Sequence, residues 1–403
     1  MHICPPRLVC GPLAIVLLSG VSALAADAPK PIRLTISPIQ DNRRFIVAEH
    51  RVYESELSPP YAMRNAETNE AVACAWSYNR PTGQRDRLSF QLRWVVPYLP
   101  AGKSATFIVE HADAAPKPVM TVEKHGATKS EREPGWISIR NATREITRYY
   151  FRPAHDKHQK PYFYPLIVHG VPITRAFPME KKAGEDADHP HHSSIYFAHG
   201  EVNGTDYWSK APIIAEEPVV AEGGGIARIV ATNKWGKDLT ETQDVLILDA
   251  GDDAILDWTI TLTAPNGPVV LGKTKEGGFS VRVAQGLVDK SGGQMIDADG
   301  NRGEPAIRKN TAVWADNWGT VDGKVVGVAI MNHPKSWRFP TNWHVRGYGL
   351  FAANAFMEKG EHRLEKGESI TLRYRIYAHG GDPKAANVTE VYAGYANAAV
   401  SAN

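Results

Sequence analysis

The run Thr242-Gln-Asp-Val-Leu-Ile-Leu-Asp-Ala-Gly-Asp-Asp-Ala-Ile-Leu-Asp-Trp-Thr-Ile-Thr-Leu-Thr263 points most directly to how this chain folds. Two apolar runs, 244–248 and 255–262, flank Ala250-Gly-Asp-Asp253, whose glycine and aspartates are turn formers. Runs of that length, rich in Val, Ile, Thr and Trp, pair as antiparallel strands. The same pattern recurs on both sides. Residues 43–49, 88–95, 105–110, 136–140, 146–152, 195–199 and 227–233 read as strands, as do 279–284, 325–331 and 369–378. Asp322-Gly323, between Thr320 and Val325, is a dipeptide favoured in tight hairpins. A sustained helical period is found only near 385–399, which reads as a short terminal helix or a frayed tail. The expected fold class is all-β: a large antiparallel β-sandwich, supersandwich-like, with a smaller N-terminal β domain.

Residues 1–25 read as a secretory signal. Arg7 supplies the positive start, 13–24 is apolar, and Ala23-Leu-Ala25 is a small-residue cleavage site. The apolar run is too short for a membrane anchor. Processing there would remove Cys4 and Cys10 and leave Cys74, so no internal disulfide is expected. Residues 27–125 are expected to form the small N-terminal β-sandwich domain and 135–382 the main domain carrying the site, with 383–403 a short C-terminal tail. Between them 112–133, rich in Ala, Pro, Lys and Glu, reads as a linker. The expected location is periplasmic or secreted. A formal net charge of +2 with interspersed signs argues against a nucleic-acid partner. No later apolar stretch is long enough for an integral membrane segment.

The 15 histidines concentrate in Asp188-His-Pro-His-His-Ser-Ser-Ile-Tyr-Phe-Ala-His199, followed by Glu201, Asp206, Tyr207 and Trp208. Imidazole titrates near neutrality and is a common metal ligand. In a strand over 193–199, alternation puts His191, Ser193, Ile195, Phe197 and His199 on a packed face and His192, Ser194, Tyr196 and Ala198 on the other, where His192, Ser194 and Tyr196 point to an open polar cavity. Histidines that merely cap turns are the plainer alternative. Asp188, His189, His191 and His192 offer N and O donors, yet their spacing departs from His-Glu-x-x-His and other zinc patterns. No metal and no cofactor is expected.

Two further stretches carry candidate chemistry. In Lys273-Thr-Lys-Glu-Gly-Gly-Phe-Ser-Val-Arg282, Glu276, Gly278, Ser280 and Arg282 share a strand face, and the glycines permit close approach of backbone or ligand. Glu276 is a candidate general base, or else a solvated turn residue. Asn332-His-Pro-Lys-Ser-Trp-Arg-Phe-Pro-Thr-Asn-Trp-His-Val-Arg-Gly-Tyr348 reads as a loop-like segment whose rings, beside Arg and His, suit a sugar. Arg175 is a candidate carboxylate ligand or a surface ion pair. The three stretches are expected to converge on one cleft. His192, His191 and Glu276 would be catalytic, while His199, Arg175, Arg282, His333, Trp343, His344, Arg346 and Tyr348 would hold the ligand.

Pro161-Tyr-Phe-Tyr-Pro165, Val171-Pro-Ile-Thr-Arg-Ala-Phe-Pro178, Asp188-His-Pro-His-His192, His199-Gly-Glu-Val-Asn-Gly204 and Trp208 together resemble the bacterial family labelled methane oxygenase PmoA-like. Thr274-Lys-Glu-Gly-Gly-Phe279, Asn332-His-Pro334, Trp343-His-Val-Arg346 and Tyr348-Gly-Leu-Phe-Ala-Ala-Asn354 continue it, so that it covers most of 136–382. The label implies no activity here, because the membrane methane monooxygenase subunit is built from spanning helices. The resemblance implies a sugar-degradation context. A looser resemblance is to galactose-mutarotase-like β-supersandwich proteins, through the long run of antiparallel strands, the histidines and late Glu, and Leu364-Glu-Lys-Gly-Glu-Ser-Ile-Thr-Leu-Arg-Tyr-Arg375. By role it implies His192 (or His191) as acid and Glu276 as base. The expected function is acid–base chemistry at a sugar carbon, by glycosidic cleavage, elimination or epimerisation, on a carbohydrate small molecule or oligosaccharide. A non-catalytic carbohydrate-binding protein and a metal-dependent oxygenase or hydrolase are the rivals.

Overall fold

The computed structural model describes residues 30–79, 88–114, 117–126, 134–153 and 160–402. The expected signal at 1–25 lies outside them. The opening hairpin forms with Leu239–Ala250 antiparallel to Asp253–Thr263, closed by Ala250 opposite Asp253. A second hairpin turns at Asp322 and Gly323, with φ of 48° and 78°, the left-handed pair that a two-residue type I′ turn requires.

These hairpins belong to a nine-stranded antiparallel sheet whose path runs from Ile214–Ala215 through Ile226–Trp235, Leu239–Ala250, Asp253–Thr263, Ser369–Gly380, Lys324–Asn332 and Trp314–Val321 to Gln294–Asp297, with Val219–Gly223 also pairing Ile226–Trp235. An eight-stranded sheet covers one of its faces. Its order is Asn342–Arg346, Leu350–Asn354, Gly277–Arg282, Ile195–His199, Tyr162–Phe163, Glu145–Arg152, Gly135–Arg140, Thr121–Gly126. Aromatic rings lock the two together: Phe279 lies 4.8 Å from Trp258 and 5.1 Å from Tyr374, and Phe197 lies 5.8 Å from Trp235. Large rings dominate such a core because each removes much apolar surface from water.

The N-terminal region forms a four-stranded and a three-stranded sheet around its own core of Leu34, Trp94, Phe107 and Val109. It leans on the other face of the nine-stranded sheet, where Phe45 and Val47 meet Leu248, Met331 and Tyr377. The layers therefore run N-terminal sandwich, nine-stranded sheet, eight-stranded sheet. The outer face of the last is left open for a site.

Two expectations are corrected. The linker at 112–133 contains a strand, Thr121–Gly126, whose charged residues face solvent on a sheet edge, which is why its composition looks unstructured. The loop-like segment 332–348 ends in the strand Asn342–Arg346, hidden by its flanking prolines. Of the two readings for 385–399, the short terminal helix is the one that forms. Helix Val388–Ala396 docks through Glu390 on Arg44, and Val400–Ala402 adds a strand beside Ile32–Ile36.

Candidate functional site

Four adjacent strands build the floor of a cleft. Side chains directly opposite in an antiparallel pair share a face. Tyr196 pairs with Ser280, Ser280 with Ala352, and Ala352 with His344, so these four form one outward rung. Arg282, Leu350 and Arg346 form the next. The residues between them, Phe197, Phe279, Ala353 and Trp343, point inward to the core. Gly278, with φ of 104°, has no room for a side chain, since a Cβ would sit 2.3 Å from the Ala353 carbonyl. The glycines thus serve backbone packing.

The histidine stretch folds over the end of this floor. His189 and Ser194 adopt left-handed backbone conformations at φ of 45° and 59°, and in this bent segment the His189 and His192 rings stack while His191 meets His192 edge-on. His189 lies 4.9 Å from His192 and 4.8 Å from Tyr348, nearly parallel to both. Trp208 meets His192 edge-on at 5.6 Å. Asp188 holds the turn: its carboxylate accepts from Arg282 Nη2 at 2.7 Å, from His189 Nδ1 at 2.7 Å, and from Arg175 Nη1. Arg175 and Arg282 are 2% and 1% exposed, so one carboxylate answers two buried guanidiniums.

Arg282 Nη1 donates to His192 Nδ1 at 3.3 Å. Guanidinium has no acceptor, so His192 carries its proton on Nε2, a buried atom with no partner among the described residues. Burial, then the neighbouring His191, Arg282 and His189, hold the His192 pKa far below the usual imidazole value. It is a neutral N–H donor. Burial and the nearby Arg308 likewise lower His344 to about 4. Burial raises Tyr348, against the pull of Arg346 and Arg282, so its hydroxyl stays protonated. Asp188 is held below the usual carboxylate range: burial pushes it up, and Arg282, His189 and Arg175 outweigh that.

The resulting cleft has a volume of about 620 Å³, and His191, His192, Trp208, Glu276, Arg346 and Tyr348 contribute to its lining, with His344, Lys210 and Lys275. Of its carboxylates, Asp206 is occupied: Oδ1 accepts from Trp208 N and Ser209 N at 2.9 and 3.0 Å, and Oδ2 from the Ser209 hydroxyl at 2.5 Å. Glu276 is different. It is half-exposed at the mouth, with Lys275 Nζ 3.6 Å away.

Residues from all three stretches thus line one hollow, but five of the expected ligand contacts do not. Arg282 is among them, buried and engaged by Asp188 and His192. His199 and Trp343 point inward, His199 against Phe356 at 4.2 Å and Trp343 donating to the Ala312 carbonyl at 3.2 Å. Strand alternation forces this, because Tyr196 and His344 take the outward positions. His333 lies beyond both sheets, 4.9 Å from Tyr395 of the C-terminal helix. Arg175 sits beneath the floor as a partner of Asp188. Sequence reasoning missed Lys160. Its Nζ donates to the Trp208 carbonyl at 2.6 Å and lies 4.5 Å from the Tyr196 ring centre. Burial lowers it to about 7, against the pull of Asp206. Its place before the aromatic run 161–165 is the one cue the sequence offers.

Among the described residues no group of three or more His, Cys, Asp or Glu is disposed to hold a metal ion. No helix among them is long and apolar enough to cross a membrane.

Fold and site together define a two-sheet antiparallel β protein with a ring-walled polar cleft on its outer face. The chain belongs to the family described as "Family of unknown function (DUF6807)", whose profile matches residues 137–393. No curated protein matches it. Among solved structures it is similar to a protein in the glycosyl hydrolase family 38 from Enterococcus faecalis, at 10% identity and a TM-score of 0.43, over 93% of this chain and 47% of that one. It is also similar to an α-mannosidase from Enterococcus faecalis V583, at 11% identity and a TM-score of 0.41, over 92% of this chain and 46% of that one. The chain spans about half the length of these structures. Likeness of that degree transfers neither substrate nor residue roles.

Proposed function

We propose that this protein binds a carbohydrate in the outer-face cleft and moves protons at one of its carbons or hydroxyls. The observation that carries the reading is the pairing, in one hollow of about 620 Å³, of flat ring walls with a half-exposed carboxylate, Glu276, whose ion-pair partner Lys275 stands 3.6 Å away at the mouth. Sugar rings present apolar C–H faces that stack on Trp and Tyr, and hydroxyls that need N–H and O–H partners. Trp208 and Tyr348 supply the first. His192 Nε2–H and the Tyr348 hydroxyl supply the second.

Glu276 is the base and takes a proton from the ligand. His192 is held neutral and acts as a fixed donor, so His191, half-buried on the same wall, is the group that returns a proton to the departing or ring oxygen. Elimination and epimerisation use such a pair directly, and glycosidic hydrolysis uses it with the base taking its proton from the attacking water, whose oxygen ends on the sugar. The apolar run at 13–24 and the small-residue site after it support export to the periplasm or beyond. Incubation of the purified chain with neutral and acidic oligosaccharides, with product detection by mass spectrometry and NMR, tests the reading. Turnover abolished by Glu276→Gln supports it. Turnover that survives this change removes the catalytic assignment, and binding without turnover leaves a carbohydrate-binding protein.

A further inference from the structure

We infer that the ligand of this cleft carries a carboxylate, making the substrate class an acidic sugar, and that Arg346 is the residue that reads it. The inference rests on the carbohydrate reading above and narrows it.

Charge balance is the first ground. At the end of the floor Asp188 is shared by Arg175 and Arg282, and Arg175 also lies near Glu185. Arg282 is the guanidinium left short, with a buried Nε that has no partner among the described residues. Lys160 adds a further buried amine behind Trp208, partly protonated at neutral pH and within the field of Asp206. Cationic groups buried without equal counter-charge are costly, and their field concentrates in the adjoining concavity. On the rim Lys210 and Lys275 add to it, against Asp206, which caps its own turn, and Glu276.

The wall supplies the second ground. Arg346 Nε lies 3.0 Å from Glu304 Oε1 as an ion pair without hydrogen-bond alignment, while Glu304 Oε2 accepts from Gly347 N at 2.7 Å. Glu304 therefore holds the guanidinium from one side by charge, and Arg346 lines the cleft with its guanidinium 5.3 Å from the Tyr348 ring centre. That planar fork matches a planar carboxylate in bidentate fashion, a geometry that Lys cannot copy and that a tetrahedral sulfate ester matches less well. His344, one residue pair along the same strand face, presents a buried ring nitrogen without a partner, suited to a neighbouring hydroxyl.

The experiment is isothermal titration of the full chain with galacturonate and glucuronate oligomers, the same oligomers with the carboxyl reduced to a primary alcohol, and 6-sulfated galactose oligomers. The expected result is that an acidic oligomer binds about tenfold or more tighter than its reduced twin, as a charge-assisted bidentate contact provides. Arg346→Gln should bring the two within about twofold to threefold, with Arg346→Lys between. Should Arg346→Gln fail to fold, the wild-type preference must still shrink as salt rises from about 0.05 to 0.5 M. Equal or tighter binding of the reduced twin overturns the inference and leaves the carbohydrate reading standing, as does preference for the sulfate ester over the uronate. Failure of every saccharide, acidic and neutral, to bind removes the carbohydrate reading itself.

Discussion

Two polar sets of the main domain contrast, one around Glu241 inside the sandwich and one around the cleft outside it. Between the sheets the Glu241 carboxylate is 0% exposed and accepts from Asn233 Nδ2 at 3.0 Å, Trp235 Nε1 at 2.9 Å and Gln243 Nε2 at 2.7 Å. On the outer face His192 Nε2, Trp208 Nε1 and His344 Nδ1 are buried and without a partner. A buried carboxylate answered by three donors rigidifies a fold. Buried donors and acceptors left unanswered around a hollow await a ligand, because each unmatched group costs about 1–3 kcal/mol until something matches it.

The sharpest way to break this contrast is Glu276→Gln, expected to lower turnover by about 10²–10⁴-fold while stability stays within about 0.5 kcal/mol. Steady-state kinetics beside urea unfolding checks both halves. Next is Glu241→Leu, which strands three inward donors and should destabilise by roughly 3 kcal/mol or more. If ligand affinity of the folded fraction falls as steeply as stability does, the two polar sets are one network and the contrast fails.

The pH dependence of unfolding sharpens the comparison further. Burial lowers the pKa of His199 and His344 to about 4. Both are neutral in the folded protein between about pH 4 and the unfolded value near 6.5, where the unfolded chain binds their protons. Their stabilisation is therefore full above about pH 6.5 and lost as pH falls toward 4, at most about 3 kcal/mol each. His379 works in the other direction. Asp316, 2.9 Å away, outweighs burial and raises it, so its contribution is full below about pH 6.5 and fades as pH rises through its folded pKa. Denaturant midpoints from pH 4 to 9 should show the acid limb, and His199→Phe should flatten it by close to one proton. The smallest expected effect is on ligand binding by His333→Ala, within about twofold, because a group beyond both sheets lies outside the reach of short-range contacts. A tenfold loss would mean that the cleft extends differently from the hollow described.

The strand pattern was legible because it is local. Residues 195–199 form the strand expected at those bounds, and 242–248 and 255–263 fall inside longer observed strands, since alternation and β-branching act over a few residues. Edge strands were illegible where charge replaced alternation, as at Thr121–Gly126, or where prolines masked a strand, as at Asn342–Arg346. In the site, parity was readable wherever a strand was recognised: Tyr196 outward and Phe197 inward follow from it. Choosing both Trp343 and His344, or choosing His199 from the face read as packed, ignored that same rule. Lys160 and the shared use of Asp188 by two arginines were beyond reach, since nothing local marks a lysine for burial or assigns an ion pair across 94 residues.

By itself the order of residues determined the all-β character, the hairpins at 250–253 and 322–323, and which side chains could share a face, because backbone sterics and strand period act between near neighbours. Only tertiary structure decided which face would be open and which imidazoles would stay neutral. Those outcomes depend on what packs against each face and on charges brought close from distant parts of the chain.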